Sequence, residues 1–331
     1  MSLYAGICLC NIRYCSLSLR PLKKKLKQLL PYSKSVLSLS GPLIIGQIGF
    51  VLMGATDTIM VGHVSADALA AAGVANAVFF LVMVLSIGIG SVISPMIAKA
   101  KSAGNKEEIR KIYTNGSIIS LLSGIVLMAM VVVLALNFHL FEQKDEVGPQ
   151  AAEFMLLLSL SSLPFSVFFF LKQISDGASE AGYSMVVTVS GLLLNLVLCW
   201  VLIFGKLGAP AMGLNGAAWA TVVTRVVMMA MMWAILKYGT KFKQLLDFPA
   251  ESVFDKTIFL RILKQGIPAG LQYFFEIGAF SGAAIYIGKL GVYQLAAHNV
   301  AINLASVTYM IISGVSIAAS IKVGDAWDKI K

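Results

Sequence analysis

The sequence predicts an all-α bundle of about eight transmembrane helices, and three observations predict it. Of the 331 residues, 58% are hydrophobic and only 13% charged, where soluble domains run near one quarter charged. The apolar residues come in runs of about 20 or more, the length an α-helix needs to cross a hydrocarbon core of roughly 30 Å. The links between those runs alternate between basic and nearly uncharged. The net charge of +10 therefore reports bilayer orientation. Its Lys and Arg lie between apolar runs rather than on one face, and no nucleic-acid-reading motif accompanies them.

Residues 1–41 carry Arg13, Arg20, Lys23, Lys24, Lys25, Lys27 and Lys34. Apolar residues at near-helical spacing beside these lysines predict a cytosolic segment lying on the membrane surface. Pro42 is expected to open the first span, where a missing N–H does no harm, with Ser40 as its N-cap. Eight cores follow, at 42–62, 70–98, 113–137, 151–171, 184–204, 214–236, 267–287 and 295–321. The first six form one unit, 42–236. A basic link, 237–266, separates it from a second unit, 267–331, that holds only two spans. Prolines 95 and 164 are expected to kink the second and fourth spans. Three of the four cysteines (Cys8, Cys10, Cys15) crowd the first 15 residues. They match no zinc spacing or disulfide framework and read as free cytosolic thiols. The early residues also lack the apolar core and cleavage site of a signal peptide.

On the side of the N-terminus the five segments 1–41, 99–111, 172–183, 237–264 and 322–331 hold 7, 5, 1, 6 and 3 Lys/Arg. The four links on the other side hold 0, 1, 1 and 1, and Arg225, within the sixth span, is the remaining basic residue. The positive-inside rule places both ends of this chain in the cytosol.

Self-comparison finds a repeat. Shifted by 226 positions without a gap, the first two spans match the last two at Pro42/Pro268, Ile59/Ile285, Gly62/Gly288, Leu69-Ala70-Ala71/Leu295-Ala296-Ala297, Val74-Ala75/Val300-Ala301, Gly88/Gly314 and Ser94/Ser320. Six spans per unit is an even number. Both units therefore start on the same side, as parallel repeats about an axis along the membrane normal. The second unit stops after two spans, so four helices are expected to be missing.

Of the sixteen acids, only Asp57 and Glu276 lie well inside spans, the first and the seventh. An ionisable residue there costs about 2.5–3.5 kcal/mol at mid-helix and marks an ion or proton site. A carboxyl in low dielectric holds its proton more readily, so each can exchange H⁺ or bind Na⁺. The bland alternative is a carboxylate neutralised by a structural partner, with Arg225 the candidate. Asn195, Asn76, Gln47, Thr221, Gln272 and Asn303 are polar residues in apolar runs. Each is either interhelical glue or part of a cavity. Phe79, Phe80, Phe165, Phe168, Phe169, Phe170, Phe274 and Phe275 could face lipid, pack, or line a cavity for organic cations. Met228, Met229, Met231 and Met232 could give it an adaptable wall. No Walker loop, kinase glycine loop, zinc-protease motif or nucleophile elbow occurs. No enzyme chemistry and no organic cofactor are expected.

The segments P-x14-DTIMVGHVSADALAA (Pro42–Ala71), SDGASEAGYSMVVTVSGLLLNLVLCWVLIFGKLGAPAMGLNGAAWAT (Ser175–Thr221) and GIPAGLQYFFEIGAF…LAAHNVAIN (Gly266–Asn303) resemble the multidrug and toxic compound extrusion family, in its bacterial NorM-like branch. The likeness runs from about residue 40 to the end. It implies a monomeric twelve-helix antiporter of the inner membrane. Its two six-helix lobes expel cationic, amphipathic compounds in exchange for Na⁺ or H⁺, without a nucleic-acid partner. By motif, Asp57 matches the first-helix coupling acid and Glu276 the seventh-helix acid of a Na⁺ site. Asn195 matches a polar neighbour of the first site, and Asp176 the acid ending the fourth helix. Gln47, Asn76, Thr221, Arg225, Gln272, Phe275 and Asn303 are the candidate cavity residues. A second asparagine often found four residues after Asn195 is Cys199 here, and the family's last four helices are absent. Two alternatives remain: an exporter of lipid-linked oligosaccharide precursors, which would want more buried Arg and Lys, and a non-transporting remnant.

Overall fold

The computed structural model describes residues 4–141, 147–242, 254–288 and 292–326, with side chains described from residue 33 onward except at 140, 141 and some positions between 281 and 307. Ten α-helices follow one another: α1 (Tyr4–Gly62), α2 (Ala66–Ser91), α3 (Ile93–Ser102), α4 (Lys106–Leu136), α5 (Val147–Ser159), α6 (Ser162–Gly177), α7 (Ala181–Phe204), α8 (Leu214–Tyr238), α9 (Lys256–Gly288) and α10 (Val292–Ala326). No strand occurs among the described residues.

Six stretches are long and apolar enough to cross a membrane: Ser33–Gly62, Ala66–Ser102, Lys106–Leu136, Ala181–Phe204, Leu214–Tyr238 and Thr308–Ala326. The α5/α6 pair, bent by 46°, makes a seventh. Helix α9 spans 33 residues but is not among them, because Gln272, Glu276 and its glycines dilute its apolar character.

Both expected proline breaks are present. Pro95 and Pro164 have no N–H to return to the carbonyl four residues back. The helix is interrupted at Val92, between α2 and α3, which still continue as one span, and at Leu160-Ser161, where α5 and α6 meet at 46°. The start of the first span differs from expectation. Helix α1 runs unbroken through Ser40 and Pro42, and the Ser40 hydroxyl donates to the Val36 carbonyl at 2.8 Å. The lysine-bearing segment ahead of Pro42 has helical periodicity of its own, so the proline costs one hydrogen bond without ending the helix. Pro268 sits inside α9 in the same way.

Elsewhere local rules hold. The Ser65 hydroxyl caps α2 through the Ala68 N–H at 3.0 Å, and Asn105 caps α4 through the Glu108 N–H at 3.0 Å. Gly205, at φ +66°, closes α7 in the left-handed conformation that a side chain disfavours.

The repeat appears as pairs of contacts that exchange under the 226-residue shift. A Cβ on Gly88 of α2 would lie 2.2 Å from the Gly270 backbone of α9. Gly314 is the repeat mate of Gly88 and Ile44 the mate of Gly270; a Cβ on Gly314 of α10 would lie 2.5 Å from Ile44 of α1. Ala98 and Gly324 are mates that face each other: a Cβ on Gly324 would lie 3.1 Å from that of Ala98. Two equivalent residues can touch only beside the axis that relates them. Small residues at these crossings let backbones approach where lipid supplies no hydrophobic drive.

The basic links gather at one end of the bundle. The Lys101 ammonium donates to the Ala178 carbonyl, Ser102 to the Asp325 carbonyl, and Lys241 pairs with Glu180 at 2.8 Å. Arg261 reaches Glu108 at 3.4 Å, and Lys111 meets Glu107 at 2.8 Å and Asp255 at 3.4 Å. The backbone N–H groups of Ile258 and Thr257, with Lys111 beside them, hold the Asp255 carboxyl below its usual range. One buried cluster, including Phe168, Ile174, Met228 and Met232, fills this end, and another, including Phe79, Phe165, Cys199 and Ala217, fills the other.

Two expected outcomes come from this packing. Gly88→Ala should lower the thermal unfolding midpoint in detergent, by the equivalent of about 1–3 kcal/mol of overpacking. Gly73→Ala, on the same helix with nothing within 4 Å of its Cβ, should not. Asp255 has a lowered folded-state pKa, so its contribution to the start of α9 is present above the unfolded value of about 4 and lost as pH falls below it. Amide exchange at Thr257 and Ile258 should accelerate over that acidic range, and Asp255→Asn should remove the dependence.

Candidate functional site

Helix α1 carries Asp57 five residues before its end, with its side chain turned toward α7 and α8. The carboxylate is half-buried and accepts two hydrogen bonds, Oδ1 from the Cys199 thiol at 3.1 Å and Oδ2 from the Thr221 hydroxyl at 3.2 Å. Thr221 Oγ1 also lies 3.0 Å from the Ala217 carbonyl, so its one proton can serve either acceptor. Asn195 lies one turn before Cys199 on α7 and within electrostatic reach of Asp57. It is fully buried, and its amide approaches the Asp57 carboxylate without completing a hydrogen bond in good geometry. Buried amides are rarely left so; this one faces Asp57 with hydrogen-bonding capacity to spare.

No direct ion pair joins Arg225 to Asp57 among the described residues, although the two charges lie within coulombic reach of each other. The Arg225 guanidinium lies over two aromatic faces, 5.0 Å from the Phe79 ring centroid and 4.9 Å from that of Phe165. Nη1 donates to Ser161 Oγ at 2.7 Å, at the bend between α5 and α6.

Asp176 belongs to a different place. It is fully buried at the end of α6, where Oδ2 pairs with Lys172 Nζ at 2.6 Å and Oδ1 accepts from Ser184 at 2.5 Å. Ser184 precedes Asn195 by 11 residues on α7, about 16 Å along the helix. Asp176 therefore does not join the Asp57 cluster.

A family model described as MatE matches residues 42–201 and 268–329. The chain belongs to this family. The two matched segments begin 226 residues apart, the shift that relates the repeats. Among its relatives are a probable multidrug resistance protein NorM of Rhizobium meliloti (strain 1021), 31% identical over 89% of this chain, and the multidrug resistance protein MdtK of Yersinia pestis (strain Pestoides F), 31% identical over 88%. The chain spans 63% and 64% of their lengths. A multidrug resistance MATE family transporter solved in an outward-facing conformation superposes with a TM-score of 0.79 at 25% identity, over 89% of this chain and 64% of that one. A MATE solved in a bent conformation gives 0.76 at 25% identity, over 89% and 65%. The chain is thus a multi-pass membrane protein of the MatE family.

The remaining candidates fall away from the Asp57 cluster. Glu276 is half-buried on α9 beside Tyr273 and Tyr309. Gln272 and Phe275 are exposed on the same helix, Phe275 at 68%. No group of three His, Cys, Asp or Glu that could hold a metal occurs among the described residues. Any Na⁺ at Glu276 would need other oxygen donors. Asn76 on α2 and Gln47 on α1 are half-buried; Gln47 lies ten residues, about 15 Å, from Asp57. The Asn303 side chain lies outside the described residues. Met228 and Met232 are core residues rather than a cavity wall, with Met228 filling the space above Gly191. An open cleft of about 540 Å³ lies at the basic end, between Lys34–Pro42 and Ser179–Gly182, far along α1 from Asp57.

Two residues of these sites are not among those the sequence singles out. Ser161 gives no signal beyond its position three residues before Pro164. Lys172 is readable: it stands four residues before Asp176, the spacing of a helical ion pair, but its charge places it among the link residues. Breaking such a buried pair strands one charge. Asp176→Leu should destabilise the chain by about 3–5 kcal/mol, and Lys172→Met with Asp176→Leu should recover most of that, as read by thermal unfolding in detergent.

Proposed function

We propose that this chain acts as part of a secondary active antiporter that exports cationic or amphipathic compounds across the bacterial inner membrane in exchange for Na⁺ or H⁺. Asp57 is the coupling carboxylate in this reading, and its position carries the argument. It is a half-buried acid on an apolar helix, facing protein groups that can donate to it, with the Asn195 amide close by and not fully bonded. A carboxylate held this way takes either a small cation or the charged group of a guest, and the two exclude each other by competing for one negative charge. Loading the small ion lowers affinity for the guest, which is the differential interaction that exchange requires. Glu276 provides a second carboxylate, a Na⁺ site if Na⁺ is the coupling ion. The lipid-linked oligosaccharide alternative is less well supported, because Arg225 is the one basic residue placed mid-span.

Cells stripped of their own efflux pumps and expressing the chain should accumulate less ethidium than controls. Asp57→Asn should restore accumulation while leaving the protein's amount in the membrane unchanged. Equal efflux by that variant would remove Asp57 from the coupling. No effect of the parent chain itself would favour a non-transporting remnant. Glu276→Gln should abolish any Na⁺ dependence of efflux; efflux indifferent to Na⁺ in the parent makes Glu276 structural.

A further inference from the structure

The open cleft at the basic end takes no part in the Asp57 cluster, and its lining has a chemistry of its own. Its volume is about 540 Å³, and three elements wall it: the start of the first span on α1, the α6–α7 turn at Ser179–Gly182, and the end of α10 at Lys322. Among the described residues lining it the one acid is Glu180, and Lys241 already holds both of its oxygens, at 2.8 and 2.9 Å. Lys322 touches Asp325 loosely, at 3.4 Å, and the same Asp325 oxygen also accepts from Ser179 at 3.1 Å. Lys34 has no ion pair or hydrogen bond among the described residues. The hydroxyls of Ser35 and Ser38, on the same wall, have no partner there either. Other hydroxyls of α1 turn back onto their own helix, Ser40 to Val36, Thr56 to Leu52 and Thr58 to Gly54, at 2.8 to 2.9 Å. The cleft therefore holds spare cationic and hydroxyl donors and no free carboxylate, which is the complement of a phosphate.

Depth selects the source of that phosphate. The first span, Ser33–Gly62, has 30 residues and is about 45 Å long as a helix. That is the thickness of a bilayer with its headgroups, of which hydrocarbon takes roughly 30 Å. Lys34–Pro42 form the first turns of this span, so the cleft lies at the headgroup level of one leaflet. The basic links gather at this end, the side that the positive-inside rule gives to the cytosol, where the leaflet carries anionic lipids. Leu39 and Pro42 line the same cleft deeper along α1, so apolar surface begins where acyl chains begin. Basic pockets between spans on this side suit anionic headgroups. We propose that the cleft binds the phosphate headgroup of an anionic phospholipid, with Lys34 of α1 and Lys322 of α10 as its charged partners. A lipid held there joins helices of different repeats, adding to the contact that Ser179 and Asp325 already make between them. The inference rests on the placement of these helices in the bilayer and is independent of what the chain exports.

The test titrates the purified chain in detergent with dioleoylphosphatidylglycerol and with dioleoylphosphatidylcholine, which share their acyl chains, and counts bound lipids by native mass spectrometry. The first phosphatidylglycerol should bind more tightly than phosphatidylcholine by about tenfold or more, since each lysine beside an anionic headgroup contributes about fivefold. Lys34→Gln should cut that preference by about fivefold, and Lys34→Arg, which keeps the charge, should retain it. Lys34 is exposed and bonded to nothing, so neither variant threatens the fold. Lys264→Gln alters an exposed lysine of α9 outside the cleft and should leave the preference unchanged. No preference in the unaltered chain overturns the inference. An equal loss in Lys264→Gln also overturns it, by showing diffuse attraction to the whole basic end. So does a preference that survives Lys34→Gln combined with Lys322→Gln. Millimolar glycerol 3-phosphate, a phosphate without acyl chains, should fail to displace the lipid. Displacement assigns the cleft to a soluble phosphate and overturns the lipid as its occupant. Each of these results leaves the export reading where it stands.

Discussion

A carboxylate inside an apolar helix must be solvated by its neighbours, and that requirement ties three helices of this bundle together. Left alone at the middle of a span, Asp57 would cost about 2.5–3.5 kcal/mol on insertion. Helix α7 brings Cys199 and α8 brings Thr221 to the same depth, so α1, α7 and α8 are held in register by one side chain. The register is enforced lower down by close packing, where a Cβ on Gly49 of α1 would come 3.1 Å from Thr188 of α7. The solvation is also incomplete. A thiol is a weak donor, Thr221 divides its proton between two acceptors, and the Asn195 amide approaches without completing a hydrogen bond. A site built for permanent neutralisation would close these gaps, whereas one that exchanges its occupant gains from leaving them open.

The second polar group of the interior is held by a break in the helix geometry. Pro164 interrupts the span formed by α5 and α6, and at the break lies buried Ser161, whose hydroxyl accepts from Arg225. The charge is accommodated by the same device that bends the span. Two phenyl rings lie against the guanidinium, so a cation in mid-span is held without a direct ion pair, with Asp57 as the nearby opposite charge. This answers a question that composition raises and leaves unanswered, how a lone arginine survives between Thr224 and Val226 in an apolar run.

Much of this is legible without coordinates. Length and apolarity of the runs, the alternating basic links and the prolines at 95 and 164 express local physics, and helices, common basic end and breaks all follow from them. The motif acids stand out because charge in a long apolar run is rare. What stays hidden depends on rotation about helix axes. Nothing in the chain order says that Asn195 and Cys199 face Asp57 while Asp176, also on the motif, lies about 16 Å away along α7. For Lys172 the spacing to Asp176 is readable but the burial is not. Its position near a helix end suggests solvent, and only the packing of α6 against its neighbours reveals it as buried against Asp176. The continuation of α1 through Pro42 is hard to foresee because a proline is a strong stop signal in isolation. A helix already under way loses one bond there and continues.

The two repeats share their packing and differ in their chemistry. Gly88 with Gly270, and Gly314 with Ile44, are the same crossing made twice, and Ala98 meets Gly324 beside the axis. The charged residues ignore this symmetry. Asp57 has Ala283 as its mate, and Glu276 has Phe50, which packs at 6.2 and 6.0 Å from the rings of Phe165 and Phe168. Small residues at a crossing are kept alike because backbone approach is set by geometry that both units must satisfy. An ionisable side chain is under no such constraint and can move to another turn, provided that neighbouring helices supply its donors. The fold therefore fixes where the helices cross and leaves the charge free to be placed in each unit separately. In the first unit it lies one turn from a tethered arginine on α8, and in the second beside the tyrosines of α9 and α10.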